Sequence, residues 1–353
     1  MSDNLDIETM KKLQWKIMEN VAASALIPLM RIGDALGLFT TLDTTGPATA
    51  EKFAEAAGID ARYAREWLLA LSAAGYVSFN SADKQFSLSP EQAAVFADEE
   101  SPALMIGAYD LLSGMVSNEA VVKDVFPSGA GVAYENSHPC IFQGTARFFK
   151  PSYATNLIKK WLPKVDGVVD KLSAGGSFAD IGCGFGISTL MVAEAFPVAT
   201  IAGFDMHAES IESARKLSAD AGMAERIHYS QASARDYSGT YDVLAFFDCL
   251  HDMGDPLGAA QYAYEHTCDD GVVMLIEPSA KDDPADNMNT IGQMYYCFST
   301  MGCVPTSKSQ EVGLALGAQA GPARLCAILE EAGFHSATVA HKTATNMVIS
   351  ARK

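Results

Sequence analysis

From residue 177 onward, short apolar runs alternate with helical stretches, and this alternation constrains the fold more than any other feature of the chain. The apolar runs are 177–182, 199–205, 226–231, 241–248 and 272–278, with helical periodicity at 187–195, 208–220 and 257–267. Strands separated by helices pair in parallel through crossovers, and right-handed crossovers put helices on both faces. The expected fold class is therefore α/β, a Rossmann-like doubly wound sheet. The end of the chain departs from this pattern. A helix at 322–332 leads to strand-like 335–342 and 346–352, which lie too close together for a crossover and should form a terminal antiparallel hairpin.

The N-terminal part reads differently. Residues 8–40 have helical spacing through Ile17, Val21, Ala25, Leu29, Ile32 and Leu36, with Gly37 as the stop. Thr49 caps a helix over 50–57 that Gly58 ends, and Asp60 caps one over 61–74 that Gly75 ends. Residues 76–79 and 85–88 alternate like a small hairpin. Helix, turn, helix and hairpin make a mainly helical winged-helix domain. The expected division is a winged-helix and dimerisation domain over 1–100, a helical connector over 101–170, and the sheet domain over 171–353, with an insertion at 284–320.

A winged helix invites a nucleic-acid reading, but the charges oppose it. Between Gly46 and Pro90, Lys52, Arg62, Arg65 and Lys84 face Glu51, Glu55, Asp60, Glu66 and Asp83, so there is no basic face. The whole chain carries 25 basic and 43 acidic side chains, a net charge of −18, which repels phosphate backbones and anionic membranes. The other use of such a domain is subunit pairing through apolar helices, and a homodimer is expected. No run of roughly 18 uncharged apolar residues suggests a membrane span, and the acidic N-terminus does not read as a secretory signal, so a cytoplasmic location is expected. The seven cysteines are dispersed without a CxxC pair, as reduced thiols would be. No metal is expected, because Cys249, His251, Asp252 and Asp255 are too nearly adjacent to converge on an ion.

The first strand of the sheet domain runs into Asp180-Ile181-Gly182-Cys183-Gly184-Phe185-Gly186. Glycines there let the backbone turn tightly against a ligand, and the following helix aims its N-terminal amides at the same place. A dinucleotide fingerprint, G-x-G-x-x-G, needs its third glycine at position 187, which is Ile187. The pattern here is D-x-G-x-G-x-G. An acid two residues before the first glycine suits a ligand with a positive amino group better than a pyrophosphate. Asp205, at the end of the next strand, suits bidentate hydrogen bonding to ribose hydroxyls. Cys183 and Phe185 are read as packing beside the loop.

The motif order ADIGCGFG, AGFD, SQASARD, YDVLAFFDCLHDMGDP and GVVMLIEP resembles the class I S-adenosylmethionine-dependent methyltransferases. With the winged helix, the chain is similar to the small-molecule O-methyltransferases whose N-terminal domain dimerises. The resemblance implies S-adenosyl-L-methionine as cofactor, with Asp180, Gly182 and Gly184 around its methionine moiety, Asp205 on the ribose and Met206 against the adenine. It implies Ser233 and Ala234 at the adenine amine, where the family often has an acid. Phe247 stands where the family often has a lysine, and Asp248 beside it is a further cofactor contact. His251, in the segment His251-Asp252-Met253-Gly254-Asp255, matches the family's general base in H-D-W-x-D, with Met in place of Trp. Glu277 is the acid that would orient it. Methyl transfer is an in-line displacement, so alignment and proton removal are what the protein supplies.

The insertion at 284–320 reads as a cap over the acceptor. Met294, Tyr295 and Phe298 supply walls, with Tyr153 from the preceding aromatic cluster, and Gln310, Glu311 and Gln319 supply polarity. The acceptor is a small molecule offering a hydroxyl, phenol or thiol. The alternative is a cofactor-sensing winged-helix transcriptional regulator without turnover. A nicotinamide oxidoreductase is disfavoured by Ile187.

Overall fold

The structure is a computed structural model and describes residues 5–353. The chain divides into two compact units, residues up to 113 with 143–151, and residues 114–142 with 152–353.

In the first unit, α1 (Ile7–Ala35) starts at Asp6, whose carboxylate accepts from the Glu8 and Thr9 amides. The helical run read over 8–40 breaks at Gly37, the expected stop, and continues as a second helix. Gly37 adopts φ +64°, which cannot continue a right-handed helix, and α2 (Leu38–Thr45) begins beyond it. Thr49 caps α3 (Ala50–Ala57), left-handed Gly58 ends it, and Asp60 caps α4 (Ala61–Ala73). The hairpin strands β1 (Ser78–Asn80) and β2 (Gln85–Ser87) are shorter than expected. The Tyr76 and Val77 amides bond back to the Leu71 carbonyl and belong to the end of α4. A capping box of Ser89 and Gln92 starts α5 (Pro90–Phe96).

Trp67 centres the core of this unit. Phe39 and Phe53 pack on its ring, and its indole N–H donates to the Leu29 carbonyl at 2.9 Å. By contrast, α1 is exposed through residue 25, including Leu13, Trp15, Ile17, Met18 and Val21.

Further along the chain are α6 (Gly107–Ser117), α7 (Glu119–Val125), α8 (Pro139–Asn156) and α9 (Val168–Ser173). The sheet follows: β3 (Ser177–Ile181), α10 (Ile187–Ala195), β4 (Thr200–Asp205), α11 (Ala208–Asp220), β5 (Ile227–Gln231), β6 (Tyr241–Phe247), α12 (Pro256–Glu265) and β7 (Thr267–Pro278). The cap carries α13 (Thr290–Phe298) and α14 (Val304–Lys308). The chain closes with α15 (Pro322–Glu331), β8 (His335–Lys342) and β9 (Asn346–Arg352).

The strand order is β5-β4-β3-β6-β7-β9-β8, parallel from β5 to β7, with β9 antiparallel to both β7 and β8. This is the doubly wound sheet with its terminal antiparallel hairpin. Central strands are covered on both faces, which explains their continuous apolar runs: Val243 to Phe246 and Val272 to Ile276 are all buried. The helix expected over 257–267 stops at Glu265. The Thr267 hydroxyl donates to the Ala263 carbonyl, and Thr267 already pairs with Tyr241 in the sheet. The chain winds outward from β3 in one direction and from β6 in the other. The carboxyl ends of β3 and β6 are therefore the topological switch point, where doubly wound sheets bind ligands.

Candidate functional site

The loop after β3 has three left-handed glycines, with φ +74° at Gly182, +52° at Gly184 and +74° at Gly186. At two of the three a side chain would also collide: a Cβ at Gly182 would stand 2.8 Å from Cys249 Sγ, and one at Gly186 would stand 2.4 Å from the Tyr229 hydroxyl. Asp180 is fully buried behind this loop. Its Oδ2 accepts from the Ser188 and Thr189 hydroxyls at 2.6 and 2.7 Å, while Oδ1 has no hydrogen-bond partner among the described residues. Burial pushes its pKa up to about 6 against the pull of the two hydroxyls, and Asp205 adds to the rise. Asp205 accepts from the Gly184 amide through Oδ2 and the His207 amide through Oδ1, both at 2.8 Å, and burial raises its pKa too.

Two buried carboxylates therefore flank the glycine loop, and one oxygen is left to accept from a ligand. A pyrophosphate would be repelled there, whereas an ammonium would be attracted. The residues fit the adenosyl sulfonium amino acid that the motif order implies. Met206 lies at the open end of this region, half exposed. Ser233 is exposed and its hydroxyl accepts from the Arg235 amide in a local turn, while Ala234 lies next to it, half-buried.

The end of β6 forms the second half of the site. Asp248 follows Phe247 with φ +49°, a strained conformation for a residue other than glycine. Its carboxylate accepts from the Tyr153 hydroxyl at 2.9 Å and from Asn346 Nδ2 at 2.8 Å. Burial, then the charge of Glu277, push its pKa up to about 8. His251 lies in the tight turn Leu250–Asp252 and is buried. Its Nδ1 is bonded to Glu277 Oε2, and Glu277 Oε1 accepts from the Leu250 amide at 3.0 Å. Its Nε2 lies 3.1 Å from Asp252 Oδ1. Burial disfavours the imidazolium, but Glu277 and Asp252 outweigh it and hold the pKa well above the usual histidine value. Helix capping falls to Asp255, which accepts from the Gly258 amide at the start of α12. The nitrogen, oxygen and sulfur of His251, Asp252 and Cys303 lie within 4.8 Å of one another. They are engaged with each other, and burial raises the Cys303 thiol to about 11.

Comparison with known proteins places this geometry in context. Residues 153–318 match the methyltransferase domain family model, and residues 22–97 match that of the Rv2258c-like winged HTH domain. Residues 153–318 thus match a methyltransferase domain, and the chain shares its fold with solved methyltransferases. Human N-acetylserotonin methyltransferase in complex with SAM superposes with a TM-score of 0.73 at 16% identity, covering 100% of this chain and 99% of that one. The mitomycin 7-O-methyltransferase MmcR gives a TM-score of 0.70 at 17% identity, covering 99% of this chain and 100% of that one. The ubiquinone biosynthesis O-methyltransferase of Actinobacillus pleuropneumoniae is 30% identical over 137 residues, 36% of this chain and 55% of that protein. An uncharacterized protein of Synechococcus sp. (strain ATCC 27144) is 35% identical over 80 residues, 22% of this chain. The chain thus spans 19% and 55% of the lengths of these two curated relatives.

Within the second unit, residues of the 284–320 insertion do more to hold the fold together than their composition suggests. Tyr295, Cys303 and Ala318 form a small core with Met294 and Phe298, and the Tyr295 hydroxyl donates to the Thr345 carbonyl at 2.8 Å. Gln310, expected to face the acceptor, instead fastens the cap. It accepts from the Gly254 amide at 3.0 Å and donates to the Asp252 carbonyl at 3.2 Å. Glu311 pairs with Arg235.

Sequence reasoning missed four contributing residues. Asn346, at the start of β9, reaches Asp248 across 98 positions and leaves no local signal. Cys303 comes to His251 only through the fold of the cap. Ser188 and Thr189, one turn into a helix beside an acidic strand end, carried a readable signal.

Proposed function

We propose that the chain transfers the methyl group of S-adenosylmethionine to a small-molecule acceptor, a hydroxyl, phenol or thiol. The observation that carries this reading is Asp180: buried, raised in pKa, and with one oxygen unpaired beside the glycine loop. The bound cofactor supplies an electrophilic methyl on sulfur. Asp180 accepts from its amino group, Asp205 from its ribose, and the backbone at Gly182 and Gly184 lies along it. Phe247, Asp248 and Met206 complete the cofactor wall, with Ser233 and Ala234 near the adenine.

His251 takes the acceptor proton while the acceptor oxygen or sulfur forms its bond to the methyl carbon and the carbon–sulfur bond of the sulfonium breaks. Glu277 fixes the imidazole and stabilises the charge it gains. Tyr153 and the cap residues Met294, Tyr295 and Phe298 position the acceptor. The first unit pairs with a second copy through the exposed apolar residues of α1, and the protein works in the cytoplasm. Among the described residues, no single helix is long and apolar enough to cross a membrane.

The test is titration calorimetry of the full chain with S-adenosylhomocysteine, S-adenosylmethionine and NAD. Binding of the first two without the third is expected. Uptake of NAD alone would overturn the reading.

A further inference from the structure

The segment from 127 to 138 contains one short 3-10 turn, Tyr134–Asn136, and no strand of the sheet, and it is held at both ends of its course. The Val132 amide donates to the Pro305 carbonyl in α14 at 2.9 Å. Gly131 crosses the α14 backbone so closely that a Cβ there would stand 2.0 Å from the Ser309 nitrogen. Farther on, the His138 amide donates to Asn118 Oδ1 at 2.9 Å.

Between these anchors, Tyr134 turns towards the sheet. Its ring centroid is 4.7 Å from that of Phe142 and 5.6 Å from that of His207, two residues beyond Asp205. Burial acts most on its phenol, followed by the charges of Asp205, at the end of β4, and of Asp252, beyond the end of β6, where the Cys249 thiol also lies. Cys249 Sγ in turn abuts Gly182. The ring thus stands beside His207, two residues beyond the ribose acid, with its phenol in electrostatic reach of Asp205 and Asp252, which bracket the path along which the proposed cofactor extends from ribose to sulfur.

We propose that Tyr134 is a cofactor-binding residue, its hydroxyl donating a hydrogen bond to the ribose–sulfur stretch of the adenosyl cofactor. A neutral donor suits the place. Asp205 and Asp252 line the cleft with acceptors, so another carboxylate would repel the ligand, and a lysine would compete with its sulfonium. The phenol supplies a proton for hydrogen bonding without adding charge. Because burial and the neighbouring acids raise its pKa, it keeps that proton throughout the working range. The strap of 127–138 brings the cofactor a side chain from outside the 153–318 segment that matches the methyltransferase model.

The inference rests on the cofactor reading above, and one experiment separates the two. S-adenosylhomocysteine is titrated into the full-length wild type, Tyr134→Phe and Phe142→Leu, with thermal melts of each unliganded protein. Tyr134→Phe keeps the ring and should melt with the wild type while binding about tenfold more weakly, the loss of one hydrogen bond. Phe142→Leu keeps the hydroxyl and should bind within about threefold of the wild type. Equal affinity of Tyr134→Phe and wild type overturns the inference and leaves the cofactor reading standing. No binding by the wild type overturns both.

Discussion

At the scale of single residues, the site stores unfavourable electrostatics that a ligand relieves. Asp180 titrates near 6 when folded, against 3.8 when free, so the folded state prefers the protonated acid. The sign follows: stability from this group is full below 3.8 and is lost as pH rises towards 6, by up to about 3 kcal/mol at 1.36 kcal/mol per pH unit. Asp180→Asn should abolish binding of S-adenosylmethionine, yet its unliganded stability should fall less than that of the wild type between about pH 4 and 6. Denaturant midpoints measured across that range check this. A variant that tracks the wild type would mean the acid is not held raised. The His251–Glu277 pair makes a second prediction. A base must be deprotonated to act, and Glu277 holds His251 in the imidazolium form, so turnover of a phenol should rise with pH above the ordinary histidine range. Glu277→Gln should lower kcat by about 10²–10⁴ and move the inflection to lower pH, with S-adenosylhomocysteine affinity unchanged. A thiol acceptor, being partly ionised already, should lose less.

At the scale of elements, what could be read from the sequence was what local chemistry decides. The helix over 50–57 has a side-chain cap at one end and a left-handed glycine at the other, and the helices over 187–195 and 208–220 lie between apolar strands. Where two elements abut, only tertiary structure decides. Thr267 ends α12 and opens β7 at once, because the sheet offers Tyr241 as a partner. The places of the glycine loop and of Asp205 were legible for the same reason as the capped helices, since each lies at the end of a strand. The clamp of Tyr153 and Asn346 on Asp248 was not, because it joins three distant segments. The N-terminal half of α1 poses a different problem. Met10, Leu13, Ile17 and Val21 recur on one helical face and all are exposed. Helices in proteins owe most of their stability to packing of one face, so pairing of this face with a second copy is open to test. Equilibrium sedimentation should give a dimer, and Leu13→Glu with Ile17→Glu should give a monomer that keeps S-adenosylhomocysteine affinity. A monomeric wild type would remove the pairing assignment without touching the cofactor site.

At the scale of the whole molecule, charge discriminates between an enzyme and a regulator. The winged helix-turn-helix match over 22–97 makes duplex DNA an obvious partner to test. Binding to a duplex draws on Lys and Arg that displace counterions, and every phosphate left without a cation weakens it. Between Gly46 and Pro90 four such residues stand against five acids, and Arg62 is already paired with Glu66 on α4. Around it lies a molecule of net charge −18, whose field opposes the approach of a polyanion at every orientation. A mobility-shift assay at physiological salt should therefore show no complex with duplex DNA, with or without S-adenosylmethionine. Lowering the salt should not rescue binding, because screening is the only thing that weakens the repulsion. Salt should instead raise the melting temperature, by relaxing the self-repulsion of the acidic surface. A complex that appears only with the cofactor, and persists at physiological salt, would turn the adenosyl site from a catalytic pocket into a sensor and reassign the winged helix as its output.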